Sequence, residues 1–264
     1  MSTTLWEFQQ LYFTVRDDAP IEWGGEVLRP WLEARPHVLA ELRELCRPDS
    51  RRARFTAGGR EYTPLEGLYA LGRVVDLLIA PHQPVDFAAG APRWVEPLPS
   101  AAAWAEFRAA IGAVTVDERV FHPFFHEIVE VVPAEDPAEP PSLVRELWPG
   151  ALVGGMLLAR AGVAVRAGAR HLDPEVAARS CLYWAWWRRN RPSADLSHGW
   201  GHNSQWGTDF RRDYVADGAL HYNVDVVKPY RPVGADLVRY RCSTLTDLGD
   251  QEWPYHTALT EPAP

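Results

Sequence analysis

Of the 27 basic residues in this sequence, Lys228 alone is lysine. Chemistry that needs a lysine amine, as a Schiff base or a phosphate-loop cation, is therefore confined to one position. Lys228 stands in Val-Lys-Pro-Tyr, not in a glycine loop, which argues against pyridoxal enzymes and P-loop nucleotide hydrolases. Cysteine is scarce as well. Cys46, Cys181 and Cys242 are odd in number, far apart and form no C-x-x-C pair. Neither a thiolate zinc site nor a disulfide framework is expected, and reduced thiols in a cytoplasmic protein are the default. G-x-G-x-x-G, G-x-x-x-x-G-K-[ST] and G-x-S-x-G are all missing, so the common dinucleotide, nucleotide and serine-hydrolase signatures give no lead.

Long apolar runs are missing too. The most apolar stretch, Ala151 to Ala159, is closed by Arg160 and is under half a membrane span, so it reads as a buried helix. The start, Met-Ser-Thr-Thr-Leu-Trp-Glu-Phe, lacks the basic flank and apolar centre of a signal peptide. A cytoplasmic location without membrane association is the expectation.

What remains is an ordinary globular composition. The chain has 264 residues, 47% hydrophobic and 23% charged, enough apolar material for one core and one domain over residues 1–264. The net charge of −8 gives no overall attraction to nucleic acid or anionic membrane.

Capping chemistry marks several helix starts. Thr4-Leu-Trp-Glu7 and Thr63-Pro-Leu-Glu66 set a hydroxyl at the N-cap and a glutamate three residues on. In the second, Pro64 falls at the first helical position, where its missing N–H costs nothing. That helix is predicted to run to about Ala80, with Leu68, Leu71, Val75 and Leu78 at helical spacing. Pro36 and Ser100 open two more, with Val38, Leu42 and Leu45, then Trp104, Phe107 and Ile111, facing inward. Thr115-Val-Asp-Glu118 suggests a helix to about Val132, kinked at Pro123. Residues 133–142 read as an exposed acidic, proline-rich loop. Asp173-Pro174 opens a helix expected to reach Asn190.

Strand signals come late. Phe210 to Ala216 and Ala219 to Val224 flank Asp217-Gly218, a type I′ hairpin signature. Leu237 to Thr244 reads as a further strand, and Gly58-Gly59 suggests a small hairpin between residues 54–56 and 60–62. Helices first and strands late predict an α+β fold, a helical majority with a small C-terminal antiparallel sheet.

Three constellations carry candidate chemistry. Glu118, His122, His126 and Glu130 recur every four residues. On a helix His122 and His126 would converge on one ion, with Glu130 as a further ligand. Imidazole and carboxylate donors suit zinc or iron. The same spacing equally describes a solvated helix face backed by Phe121, Phe125, Ile128 and Val132.

The segment from Ser197 to Tyr214 is the second. Gly199, Gly201 and Gly207 free the backbone for close approach to a ligand, and Trp200 and Trp206 offer apolar walls. Asn203, Gln205 and Arg211 offer polar contacts. His198 or His202, with Asp213, could form an acid–base pair. The alternative is a structured loop whose tryptophans plug the core.

Trp184 to Arg191 interleaves aromatic and basic residues, which can hold phosphate and stack bases. Inward-packed Trp184 and Trp187 with arginines complementing a helix C-terminus account for it better, and the acidic whole argues against nucleic acid as a partner.

The expectation is a small-molecule-binding protein or enzyme working through residues 197–214, with a histidine-held metal if His122 and His126 fold alongside. The rival is a non-enzymatic protein-interaction partner, of immunity or regulatory type, that displays tryptophan and arginine as contact anchors.

Overall fold

A computed structural model describes residues 4–17, 27–49, 55–57, 60–84, 98–179, 185, 188–189, 209–225 and 258–264. Among the described residues, five α-helices precede the two larger sheets: α1 (Thr4–Asp17), α2 (Arg29–Glu33), α3 (Pro36–Leu45), α4 (Pro64–Ile79) and α5 (Ala101–Ile111). Pro36 and Pro64 sit in the first turn of their helices, as their fixed φ favours. The apolar faces read from the sequence are the buried ones: Val38, Leu42 and Leu45 in α3, and Trp104, Phe107 and Ile111 in α5. Helix α5 stops at Gly112, whose φ of 72° is the left-handed conformation that glycine adopts without strain.

Helix α4 is the axis of the molecule. Every residue from Pro64 to Ile79 is buried, so the helix has no solvated face, and Glu66, Arg73 and Asp76 are enclosed with the rest. Helices α1, α3 and α5 and strand residues Trp148, Ala151, Val153, Met156 and Leu158 share one core with it. A charge carried into such a core needs counter-charges and hydrogen bonds, because an isolated buried ion costs several kcal/mol. That requirement shapes the site described below.

Strands β1 (Phe55–Ala57) and β2 (Arg60–Tyr62) form the small hairpin expected around Gly58-Gly59, with Phe55 opposite Tyr62. Two larger sheets follow. A three-stranded sheet holds β4 (His126–Pro133), β8 (Ala161–Ala167) and β5 (Ser142–Trp148), in that order. Strand β8 is parallel to β4 and antiparallel to β5. The six-stranded sheet has the order β11-β10-β9-β7-β6-β3 and is antiparallel throughout. Its strands are β3 (Val114–Thr115), β6 (Ala151–Val153), β7 (Met156–Ala159), β9 (Tyr214–Ala216), β10 (Ala219–Tyr222) and β11 (Leu259–Pro262). One further short helix, α6 (Pro174–Arg179), follows β8.

The fold is α+β with its helices leading, as expected, but three expectations need correcting. The sheet is neither small nor confined to the C-terminus: the strands of the two larger sheets run from Val114 to Pro262, and among the described residues helix, at 38% against 26% strand, is the larger class without being a majority. Residues 115–132 are not a helix. Val116 lies outside any element, and 126–133 form β4, where β-branched Ile128, Val129, Val131 and Val132 suit a pleated strand flanked by β8. Ala151 to Ala159 is not a buried helix but the β6–β7 hairpin. Gly154 and Gly155 turn it with φ of 57° and 84°, and a Cβ on Gly155 would come within 2.8 Å of the Val215 carbonyl oxygen.

The turn of the late hairpin is as read, but its strands are shorter, Tyr214–Ala216 and Ala219–Tyr222 in place of 210–216 and 219–224. Asp217 and Gly218 both have positive φ, 52° and 71°, as a type I′ turn between β9 and β10 requires. The Asp173 cap also forms, its Oδ1 accepting from the Glu175 and Val176 N–H groups at 2.9 and 3.4 Å. The helix it opens does not extend to Asn190, since Ala185, Arg188 and Arg189 are non-helical. The strand expected over 237–244 lies outside the described residues. Residues 134–141, which link β4 to β5, are largely exposed.

Candidate functional site

Residues 209–213 bring the sequence candidates to the core. They lie between the first turn of α4 and strand β7, fastened at both ends. The Phe210 N–H donates to the Leu65 carbonyl at 3.0 Å, and the Leu157 N–H donates to the Asp213 carbonyl at 2.8 Å. The Thr63 hydroxyl, instead of capping its own helix, donates to the Asp209 carboxylate. Glycine at position 72 gives the Phe210 ring its place, since a Cβ there would stand 3.3 Å from the ring edge.

Around this segment lies a cavity of about 40 Å³, room for a few waters or one small group. Val75 and Ile79 of α4, Leu157 and Leu158 of β7, and Phe210 make its apolar walls. Its polar lining is Asp76, Arg160, Arg188, Arg211 and Asp213.

Two ionic clusters meet at the cavity. In the first, Arg188 grips Glu127 with both ends of its fork, Nε to Oε1 at 2.7 Å and Nη2 to Oε2 at 2.9 Å, and its Nη1 donates to Asp76 Oδ1 at 2.6 Å. Arg73 pairs with the other Asp76 oxygen at 3.2 Å and lies 4.4 Å over the Tyr69 ring. All four charged side chains are at most 5% exposed. Burial alone would push the Arg188 guanidinium's pKa down; the Glu127 and Asp76 carboxylates outweigh it and hold the pKa above the ordinary arginine value.

In the second, Asp213 is shared. Its Oδ2 accepts from Arg160 Nη2 at 3.1 Å, and its Oδ1 accepts from Arg211 Nε at 2.8 Å and from the Asn223 N–H at 2.7 Å. Arg160 also donates from Nε to the Pro123 carbonyl at 3.1 Å. These three side chains are 7% or less exposed. Burial pushes the Arg211 pKa down; Asp213 opposes that shift, and the nearby Arg160 charge adds to it.

Of the residues singled out from the sequence, Arg211 and Asp213 therefore reach one buried site. His198, Trp200, His202, Asn203, Gln205 and Trp206 lie outside the described residues. Asp213 has both oxygens engaged by arginines and a backbone N–H, a geometry that suits an anchoring counter-charge. The basic-aromatic run is not a surface patch where it is described: Arg188 and Arg189 are buried, and Arg189 donates to the Ala80 carbonyl at 3.3 Å.

The His122, His126 and Glu130 set loses its geometric basis with the helix. His126 opens β4 and is buried, its Nδ1 within 3.0 Å of the His122 N–H and 3.1 Å of the His122 carbonyl, its ring stacked on Phe121. Burial lowers the His126 pKa. His122 points its Nε2 at Glu261 Oε1, 3.5 Å away, and Glu130 pairs with Arg145 at 2.7 Å. The three side chains thus have separate partners. Among the described residues no group of three His, Cys, Asp or Glu side chains is placed to hold a metal ion.

Sequence reasoning did not find Asp76, Glu127 and Arg160 as site residues, and it met Arg188 only as one basic residue of the 184–191 run. A signal for Asp76 was there: Arg73 and Asp76 interrupt an otherwise apolar helical run, and a charged pair three residues apart inside such a run marks buried ion pairing. Glu127 and Arg160 carry no comparable local signal, because their partners are 61 and 53 residues away.

Comparison with protein-family models, curated proteins and solved structures finds no match to this chain. No helix among the described residues is long and apolar enough to cross a membrane.

Proposed function

We propose that this protein binds a small molecule, as a receptor or as an enzyme, at the cavity between α4, β7 and residues 209–213. The observation that supports this reading is the convergence of Asp76, Arg160, Arg188, Arg211 and Asp213 on one space walled by Val75, Ile79, Leu157, Leu158 and Phe210. An apolar wall with a few fixed polar groups is the usual make-up of a small-molecule site. In the sequence, Asn203, Gln205 and Trp206 belong to the segment that leads into Asp209. His198 and His202 are the groups in that segment able to move protons near neutral pH, and any acid–base step is assigned to them. The rival reading is a protein-interaction surface displaying tryptophan and arginine; the described arginines Arg188, Arg189 and Arg212 are buried and used internally, which favours the small-molecule reading.

The test is a fragment screen by thermal shift on the full chain, repeated on Val75→Phe, which fills the cavity without altering its charges. Binding at this site predicts stabilising fragments that compete with one another and lose their effect in Val75→Phe. Fragments that stabilise parent and variant equally would remove the cavity from consideration.

A further inference from the structure

We infer that Asp209 and Phe210 form a gate over this cavity, latched by the Thr63 hydroxyl, which has a second partner at the start of α4 to take when the gate opens. The inference names the regulation of the proposed site, and it rests on that reading for its purpose but not for its geometry.

Exposure marks the part of the wall that can move. Val75, Ile79, Leu157 and Leu158 are buried, whereas Phe210 is only partly buried and Asp209 beside it is exposed. Phe210 is thus an apolar wall residue that also meets solvent. Its ring lies against α4 at Gly72, where a Cβ would stand 3.3 Å from the ring edge. The helix offers it bare backbone there, not an interlocking side chain, so the ring can leave without disturbing the packing of α4.

Fastening is uneven along the segment. Among the described residues, 209 and 210 are held by the Thr63 hydroxyl, which donates to the Asp209 carboxylate, and by the Phe210 N–H, which donates to the Leu65 carbonyl at 3.0 Å. From residue 211 onward the chain is locked by buried charge. Arg211 donates to Asp213 at 2.8 Å. Arg212 grips Asp225 with two bonds, of 2.7 and 2.6 Å, and reaches the Leu45 carbonyl at 2.8 Å. The Asp213 carbonyl accepts from the Leu157 N–H at 2.8 Å. Local opening draws on the most weakly held backbone, which confines motion to 209 and 210 and puts the hinge at the Phe210–Arg211 junction.

Thr63 makes the latch reversible. It is the N-cap residue of α4, with φ of −116° and ψ of 152°, the extended backbone that an N-cap residue adopts. Its hydroxyl makes no cap bond while it is turned to Asp209. An N-cap oxygen ordinarily accepts from the N–H two or three residues on, here Leu65 or Glu66. When Asp209 leaves, rotation of the Thr63 side chain gives the hydroxyl that partner. The latch therefore exchanges one hydrogen bond for another, and opening costs less than the loss of a bond.

Amide hydrogen exchange on the full chain, resolved by residue and expressed as protection factors, tests the gate without a ligand. In the parent, the Phe210 N–H should be less protected than the Leu157 N–H, which reports the locked part, by about tenfold or more. Asp209→Ala should lower Phe210 protection by a further factor of about ten, leave Leu157 unchanged, and raise protection at Leu65 or Glu66 as the freed hydroxyl caps the helix. Thr63→Ser, which keeps the hydroxyl, should behave as the parent. Thr63→Val should expose Phe210 as Asp209→Ala does, with no gain at Leu65 or Glu66. If Thr63→Val does not fold, Asp209→Ala carries the test, since Asp209 is exposed. Equal protection of Phe210 and Leu157 in the parent and in Asp209→Ala would overturn the gate. Loss of Phe210 protection in Asp209→Ala without a gain at Leu65 or Glu66 would overturn the exchange of partners at Thr63. A gate that opens over a cavity no fragment enters would support this geometry and remove the binding function; a fixed Phe210 over a cavity that fragments enter would do the reverse.

Discussion

Replacing Arg188 with methionine gives the sharpest test of the buried charge network. The guanidinium donates three hydrogen bonds, two to Glu127 and one to Asp76, with its side chain 5% exposed and the acids 1% and 5%. Methionine keeps much of the volume and removes the charge, so that Glu127 loses both bonds of the fork while Asp76 keeps its pair with Arg73. Breaking a buried pair by deleting one partner costs about 3–5 kcal/mol, a third or more of the stability of a typical domain. The cost should depend on pH in a definite direction. In the variant the folded state gains by protonating a stranded carboxylate, so it takes up protons more readily than the unfolded chain, and acid should stabilise it relative to the parent. Urea unfolding at pH 7 and pH 5 measures both effects: a large loss in midpoint at pH 7 that narrows at pH 5. Arg188→Met combined with Glu127→Leu should recover most of the loss, since the Arg73–Asp76 pair is then balanced and two apolar side chains occupy the vacated space. If Arg188→Met unfolds at the parent midpoint at both pH values, Arg188 is solvated in solution and the reasoning fails.

Gly162→Ala should be among the most damaging single-methyl substitutions in the chain. A Cβ there would overlap the indole of Trp148, which is fully buried and donates its Nε1–H to the Arg160 carbonyl at 3.0 Å. Overpacking of this kind costs about 1–3 kcal/mol or more, to be read as a fall in Tm with altered tryptophan fluorescence. His126 should make stability depend on pH. Burial holds its folded pKa below the ordinary value of 6.5, so the unfolded chain binds more protons as the pH falls through 6.5, and stability is full above that value and declines below it. In His126→Phe the slope of stability against pH below 6.5 should be shallower than in the parent, and an unchanged slope would assign the effect to other groups.

Local chemistry was readable and long-range chemistry was not. Pro36, Pro64 and Asp173 place helix starts because φ preference and capping act within a few residues. Asp217-Gly218 places a hairpin because a type I′ turn demands positive φ at both positions. Two readings went wrong where a second signal was overlooked. Gly154-Gly155 inside an apolar run has the same turn meaning as Asp217-Gly218, yet the run suggested a helix. In Ile128 to Val132 the β-branched residues outweigh the capping box at Thr115, because parallel pairing with β8 supplies partners that local propensity does not include. At the site, Arg211 and Asp213 stood out for their setting in a polar, glycine-rich segment. Their partners Asp76 and Arg160 come from a helix and a strand end whose approach only the fold determines.

The partnerships of α3 and α4 also bear on how the chain is made. The Asp76 bond to Arg188 spans 112 residues, the Thr63 bond to Asp209 spans 146, and Arg212, which donates from Nη1 to the Leu45 carbonyl at 2.8 Å, spans 167. During synthesis from the N-terminus, the helices therefore emerge long before the groups that neutralise and clasp their innermost member. A ribosome-bound chain stopped near residue 180 would hold α4 with Asp76 lacking Arg188 and with no Asp209 at Thr63. Such an intermediate should be loose and open to proteases or chaperones, and the arrival of residues 209–213 should be the step that converts it to a protected state.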